Sequence, residues 1–181
     1  MHGVVSLLSK PYYQQVKAIW DTLDREMGIR GVLTTPFPHF SYHVAEHYDL
    51  PEIGPMLEKF ARETAPFTVQ TTGLGIFTGG LKPIVYVNVA RSPQLSAMNA
   101  DLWSLLAERS AGIVDYYHPQ EWVPHVTLAH GDFGSAELPQ LIDILSGYEF
   151  AWTLTVNNLT LLYTDDTIQQ DDIQFQFPLT G

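Results

Sequence analysis

Two short phrases carry the side chains best suited to chemistry. Pro38-His39-Phe40-Ser41-Tyr42 recurs in the second half of the chain as Pro124-His125-Val126-Thr127-Leu128, a shared Pro-His-x-hydroxyl-apolar pattern. In an extended strand the side chains alternate between faces, so His39 points with Ser41, and His125 with Thr127. Each copy then presents an imidazole, which titrates near neutral pH, beside a hydroxyl that donates a hydrogen bond without carrying charge. Two such pairs facing one another across a groove are equipment for moving protons around a phosphate. A neutral imidazole takes one proton, an imidazolium gives another, and the hydroxyls hold the nonbridging oxygens whose charge grows in the transition state. One histidine two residues before a hydroxyl is common by chance; its repetition gives the pattern weight.

This pattern, repeated once in a chain of 181 residues, resembles the two-histidine phosphoesterase superfamily, which contains the bacterial RNA 2′,3′-cyclic phosphodiesterases also called 2′-5′ RNA ligases. The rest of the chain is similar in outline. An apolar strand opens it, a stretch led by Leu50-Pro51-Glu52 follows the first motif, and one led by Leu138-Pro139 follows the second. Tyr42 departs from the family pattern, where an aliphatic residue is usual. The resemblance implies a metal-independent phosphodiesterase, with no cofactor, acting on a 2′,3′-cyclic phosphate or a related cyclic or 2′-5′-linked nucleotide. His39, His125, Ser41 and Thr127 would be the catalytic residues, and the reverse reaction would ligate RNA ends. The resemblance leans toward His39 as acid and His125 as base; the residues alone leave that assignment open. A nucleotide-binding module of the same fold, without turnover, is the alternative.

A rival pattern overlaps the first motif. His43-Val44-Ala45-Glu46-His47 matches the His-x-x-Glu-His of inverted zinc peptidases, where two helical histidines hold zinc and the glutamate activates water. It requires a helix, whereas Pro36, Pro38, Phe40 and Tyr42 favour extended chain. On a strand, His43 falls on the His39 face, as does Phe37, and Trp122 lies just before the second motif. These three are the candidate substrate-binding residues, the aromatics by stacking on a base; the competing reading buries the aromatics in the core. His130 falls on the face opposite His125 unless a bulge intervenes.

The elements that must position these residues follow from apolar spacing and turn residues. The pattern predicts a buried strand over 3–8, a helix from Pro11 to about Met27 and a β segment over 37–46. A helix from Pro51 to about Thr64 and strands over 67–77 and 84–90, joined at Thr78-Gly79-Gly80, complete the first half. The second half repeats the grammar. A helix opens at Pro93, a strand spans 122–129 with the second motif, and a short helix spans 136–145. Strands over 150–156 and 159–163 are expected to pair through Asn157-Asn158, with a last strand over 173–177. The implied fold is α+β, a single domain over 1–181 with two pseudo-symmetric lobes. Mainly antiparallel sheets flank a central groove, and helices lie outside.

Composition narrows the function classes. Without cysteine there is no disulfide, thiolate metal site or thiol nucleophile. Nine Lys and Arg stand against twenty Asp and Glu, a formal net charge of −11, and a long nucleic acid is held mainly through phosphate contacts to basic groups. A small nucleotide or a short RNA end is therefore the expected partner, with no long nucleic-acid tract. The opening Met1–Leu8 run lacks a basic lead, and no run approaches the ~20 apolar residues of a membrane span. The expectation is a cytoplasmic, monomeric protein with no membrane partner.

Overall fold

In a computed structural model, which describes residues 2–80, 82–164 and 171–181, the apolar periodicities resolve into a regular succession of elements. The chain runs β1 (His2–Leu7), α1 (Tyr12–Met27), β2 (His39–Ala45), β3 (His47–Tyr48), α2 (Leu50–Glu63), β4 (Phe67–Phe77) and β5 (Ile84–Val89). It continues through α3 (Pro93–Leu106), β6 (Ser110–Ala111), β7 (His125–Ala129), α4 (Leu138–Leu145), β8 (Thr153–Val156), β9 (Asn158–Thr164) and β10 (Asp171–Pro178). Helix α1 buries Val16, Ile19, Trp20 and Leu23, the i, i+3, i+4, i+7 stripe, and stops where Gly28 turns left-handed at φ 69°. Asp49 and Ser92 cap α2 and α3 by accepting the backbone N–H of Glu52 and Leu95, and each helix has proline in its first turn.

Two four-stranded antiparallel sheets, ordered β10-β9-β1-β2 and β7-β5-β4-β8, form the centre. Helices α2 and α3 pack on the first sheet, α1 lies against β7, and α4 against α1. Apolar residues from both sheets, among them Val4, Phe40, Tyr42, Val126 and Leu128, join Ile19, Leu23 and Leu102 in one core. The motif strands β2 and β7 are each the outer strand of their sheet and lie against one another. The α+β class with antiparallel sheets and outer helices is as the sequence implied.

Two details differ. The halves of the sequence are not the two sheets: β4 and β5 of the first half join β7, while the final strands β9 and β10 return beside β1. The expected hairpin over 157–158 is not formed either. Strand β8 pairs with β4, and one residue later β9 pairs with β1. The Asn158 side chain drives that departure, since its amide grips both the N–H and the C=O of Leu7 at 2.9 Å and so imitates a strand neighbour of β1.

Candidate active site

Burial along the motif strands alternates as the phrases require. Phe40 and Val126 enter the core, while His39, Ser41, His125 and Thr127 stay half-buried on the groove side. The two histidines are held alike. Nδ1 of His39 meets the Phe37 carbonyl at 2.5 Å, and Nδ1 of His125 meets the Val123 carbonyl at 2.8 Å. A carbonyl can only accept, so each Nδ1 carries the proton and each Nε2 is left to act as base when the ring is neutral.

Both strands also carry the same irregularity. Val4 and Val5 oppose His43 and Ser41, leaving Tyr42 as an extra residue; Val85 and Tyr86 oppose Ala129 and Thr127, leaving Leu128 extra. A bulge after each hydroxyl residue resets the alternation. Tyr42 and His43 are therefore both buried, as are Leu128 and Ala129, and Val44 and His130 return to the groove face. At the outer edges the unpaired carbonyls find matching donors. The Trp122 indole N–H donates to Ser41 O at 2.8 Å, and that of Trp20 to Thr127 O at 3.2 Å.

Three adjoining spaces make up the groove. A cavity of about 130 Å³ holds His39, Thr127 and His130 with Thr35, and one of about 170 Å³ holds His39 and Ser41 with Thr35 and Tyr117. Tyr117 also lines a hollow of about 600 Å³ that ends at His125. Its hydroxyl is hydrogen-bonded to Ser41, and burial holds its pKa above the usual phenol value. His125 lies against Phe77 and Tyr86, each with ring centroids 5.1 Å away. Burial lowers its pKa; the Val123 carbonyl opposes that, and the nearby His39 adds to it. His125 is thus a neutral imidazole at neutral pH, suited to accept a proton.

The remaining candidates divide. Phe37 sits in a small apolar cluster with Val5, Leu7 and Leu162, and Val5 and Leu162 also line the cavity of His39 and Ser41. His43 does not line the groove: the bulge turns it into the core, where Nδ1 meets the Tyr48 hydroxyl at 2.7 Å, Trp103 packs on the ring and Nε2 has no partner among the described residues. Its pKa falls to about 4 through burial. Trp122 is likewise buried and precedes the strand rather than belonging to it, so it braces Ser41 instead of stacking on a base. The helix needed for zinc ligation by His43 and His47 is not there, because 39–45 is strand. His130 is the residue that alternation misplaces; only the bulge brings it beside His39. Burial lowers its pKa, against the pull of Asp132. Lys82 Nζ donates to the Gly131 carbonyl beside it, and Arg91 stays behind the site, over the Trp122 ring at 5.9 Å.

A sequence model described as the 2′-5′ RNA ligase superfamily matches residues 13–168. The fold is similar to the crystal structure of TT0787 of Thermus thermophilus, with a TM-score of 0.68 at 18% identity, over 99% of this chain and 98% of that one. No curated protein matches. With the family match spanning most of its length, the chain belongs to the 2′-5′ RNA ligase superfamily, a group of phosphoesterases and ligases.

Proposed function

We propose that the protein opens a 2′,3′-cyclic phosphate, or a related cyclic or 2′-5′-linked nucleotide, by metal-independent acid-base catalysis from His39 and His125. The observation that carries this reading is the matched pair of imidazoles. Each has Nδ1 committed to a carbonyl two residues upstream, and they stand on edge strands that lie against one another, close enough for His39 to help lower the pKa of His125. Neutral His125 takes a proton from water as it attacks phosphorus. Protonated His39 gives a proton to the departing ribose oxygen, while Ser41 and Thr127 donate to the nonbridging oxygens. The lowered pKa of His125 favours it as the base. Run in reverse, the same groups exchange roles and join RNA ends.

The test is hydrolysis of a nucleoside 2′,3′-cyclic phosphate in excess chelator across a pH series. A bell-shaped kcat/KM profile, with full activity in chelator, is expected. Dependence on added metal, or a profile without two limbs, would remove the two-histidine mechanism.

A further inference from the structure

One polar side chain lies where the packing asks for an apolar one. The buried face of α3 carries Leu95, Met98, Leu102 and Leu106, and in the middle of them Asn99 is completely buried. Asparagine is a poor helix former, and an amide taken out of water costs free energy wherever one of its groups goes unpaired. Here Nδ2 donates to the Tyr42 carbonyl at 2.9 Å and to the Tyr117 carbonyl at 3.4 Å, while Oδ1 is buried with no partner among the described residues. A leucine at this position would avoid both costs. What the amide adds is a hold on two backbone carbonyls.

Both carbonyls belong to the surroundings of Ser41. Tyr42 is the residue that the bulge leaves over, between Ser41 opposite Val5 and His43 opposite Val4. Two consecutive carbonyls of the bulge are thus taken by side chains, that of Ser41 by Trp122 and that of Tyr42 by Asn99. Tyr117 ends the short 3-10 turn Asp115–Tyr117, and its hydroxyl is the one bonded to the Ser41 side chain. That turn is tied to β2 a second time, where the Val114 N–H donates to the Val44 carbonyl at 2.9 Å. One amide on α3 therefore spans the strand that carries Ser41 and the turn whose side chain meets it.

We propose that Asn99 is a positioning residue, whose amide locks the bulge of β2 to the Asp115–Tyr117 turn and so aims the Ser41 hydroxyl into the groove. The inference rests on the phosphoesterase reading and adds to it a residue that touches no substrate. A bulge holds one residue more than the partner strand can fix, and a hydroxyl turns toward whatever it bonds. With Tyr42 and Tyr117 anchored to the same nitrogen, the backbone of Ser41 and its bonding partner are held as one unit. Thr127 lies on the other motif strand and outside this link, which gives the proposal an internal control.

The first test compares variants on a nucleoside 2′,3′-cyclic phosphate. Asn99→Leu removes both donors and keeps the apolar packing, and it is expected to lower kcat per folded molecule ~10-fold at a nearly unchanged KM. The same change is expected to cost less than ~2-fold in a Ser41→Ala background, where the aimed group is already gone, and the full ~10-fold in a Thr127→Val background. Equal factors in the two backgrounds would mean that Asn99 only supports the fold, and would overturn the proposal. Asn99→Ser leaves room for water at both carbonyls and is carried through the same series, so that the outcome does not hang on the folding of one variant. The second test needs no turnover: amide hydrogen exchange at Val114 and Tyr117 is read against Leu161 of β9, a strand paired on both sides. Loss of the Asn99 amide is expected to quicken exchange at the first two by ~10-fold or more relative to Leu161, and unchanged protection overturns the proposal. Quickened exchange with hydrolysis by none of the proteins, the native one included, would support the Asn99 link and withdraw the hydrolytic reading alone.

Discussion

A proton acceptor and a proton donor on opposite sides of one phosphorus act in a single displacement, so losing either side chain stops the same step. His39→Ala and His125→Ala are each expected to lower cyclic phosphodiester hydrolysis ~10²- to 10⁴-fold, with the double variant little worse than either single. Steady-state kinetics on a nucleoside 2′,3′-cyclic phosphate check this, and normal turnover in one single variant would break the pairing. Ser41→Ala and Thr127→Val remove a donor and leave the proton path, so a milder loss of ~10- to 10³-fold is expected. Weaker inhibition by the phosphate product should accompany it. His43 belongs to stability instead. Its ring stays neutral in the fold down to about pH 4, whereas the unfolded chain protonates it near its ordinary 6.5. Between those values the unfolded state binds more protons, so this contribution is complete above about pH 6.5 and is lost as pH falls toward 4. His43→Phe keeps a ring against Trp103 and removes the titration. Urea unfolding at pH 7.5 and 4.5 should show the native protein losing about 2–3 kcal/mol more than the variant. His125 and His130 shift in the same sense, which is why the difference between the two proteins is the quantity to read.

At the scale of elements, the motif strands work because they are edges, and an edge strand leaves carbonyls unpaired. Trp122 and Trp20 supply the donors at Ser41 and Thr127. Trp122→Phe or Trp20→Phe keeps most of the apolar volume but orphans a buried carbonyl. Each is expected to cost about 1–3 kcal/mol of stability, with kcat falling ~10-fold at a nearly unchanged KM as the hydroxyl residue drifts. Thermal unfolding together with kcat and KM separates this from simple loss of folded protein; equal kcat per folded molecule would show that the indoles do not position the site. Helix α1 and strand β4 were legible in the sequence because apolar spacing alone defines them, and the alternation of His39 with Ser41 and of His125 with Thr127 is a local property of strands. The bulges were not legible. Tyr42 and Leu128 read like any buried strand residue, and what makes them extra is the pairing with β1 and β5, set by residues far away in the chain. From that one omission follow the burial of His43 and the recovery of His130. Asn157-Asn158 misled for a related reason: a turn-forming pair says the path bends, not which sheet receives the next strand.

At the scale of the whole molecule, each sheet is assembled from distant parts of the chain, since β1 is flanked by β2 and by β9 near the other end. The groove between β2 and β7 is thus held by the closure of the entire fold. Its charge is also a property of the whole. Nine basic side chains against twenty acidic ones leave few partners for a polyanion. Of these, Arg91 is committed to the Trp122 and Pro119 carbonyls, and Arg30 and Arg62 to carboxylates. A protein that grips single-stranded RNA through Z phosphate contacts loses affinity with salt at a slope of about −0.7Z. Here a shallow slope is expected, that of about one or two contacts, with little gain in affinity when a mononucleoside cyclic phosphate is lengthened to an RNA of ten or more nucleotides. At low salt the acidic surface should make the longer ligand bind worse, because screening is weakest there. Paired binding curves for the short and long ligands across a salt series measure both quantities. A steep negative slope with strong preference for the long RNA would mean that Lys82 and the remaining cations gather into a track along the groove, and the expectation of a small substrate would have to be abandoned.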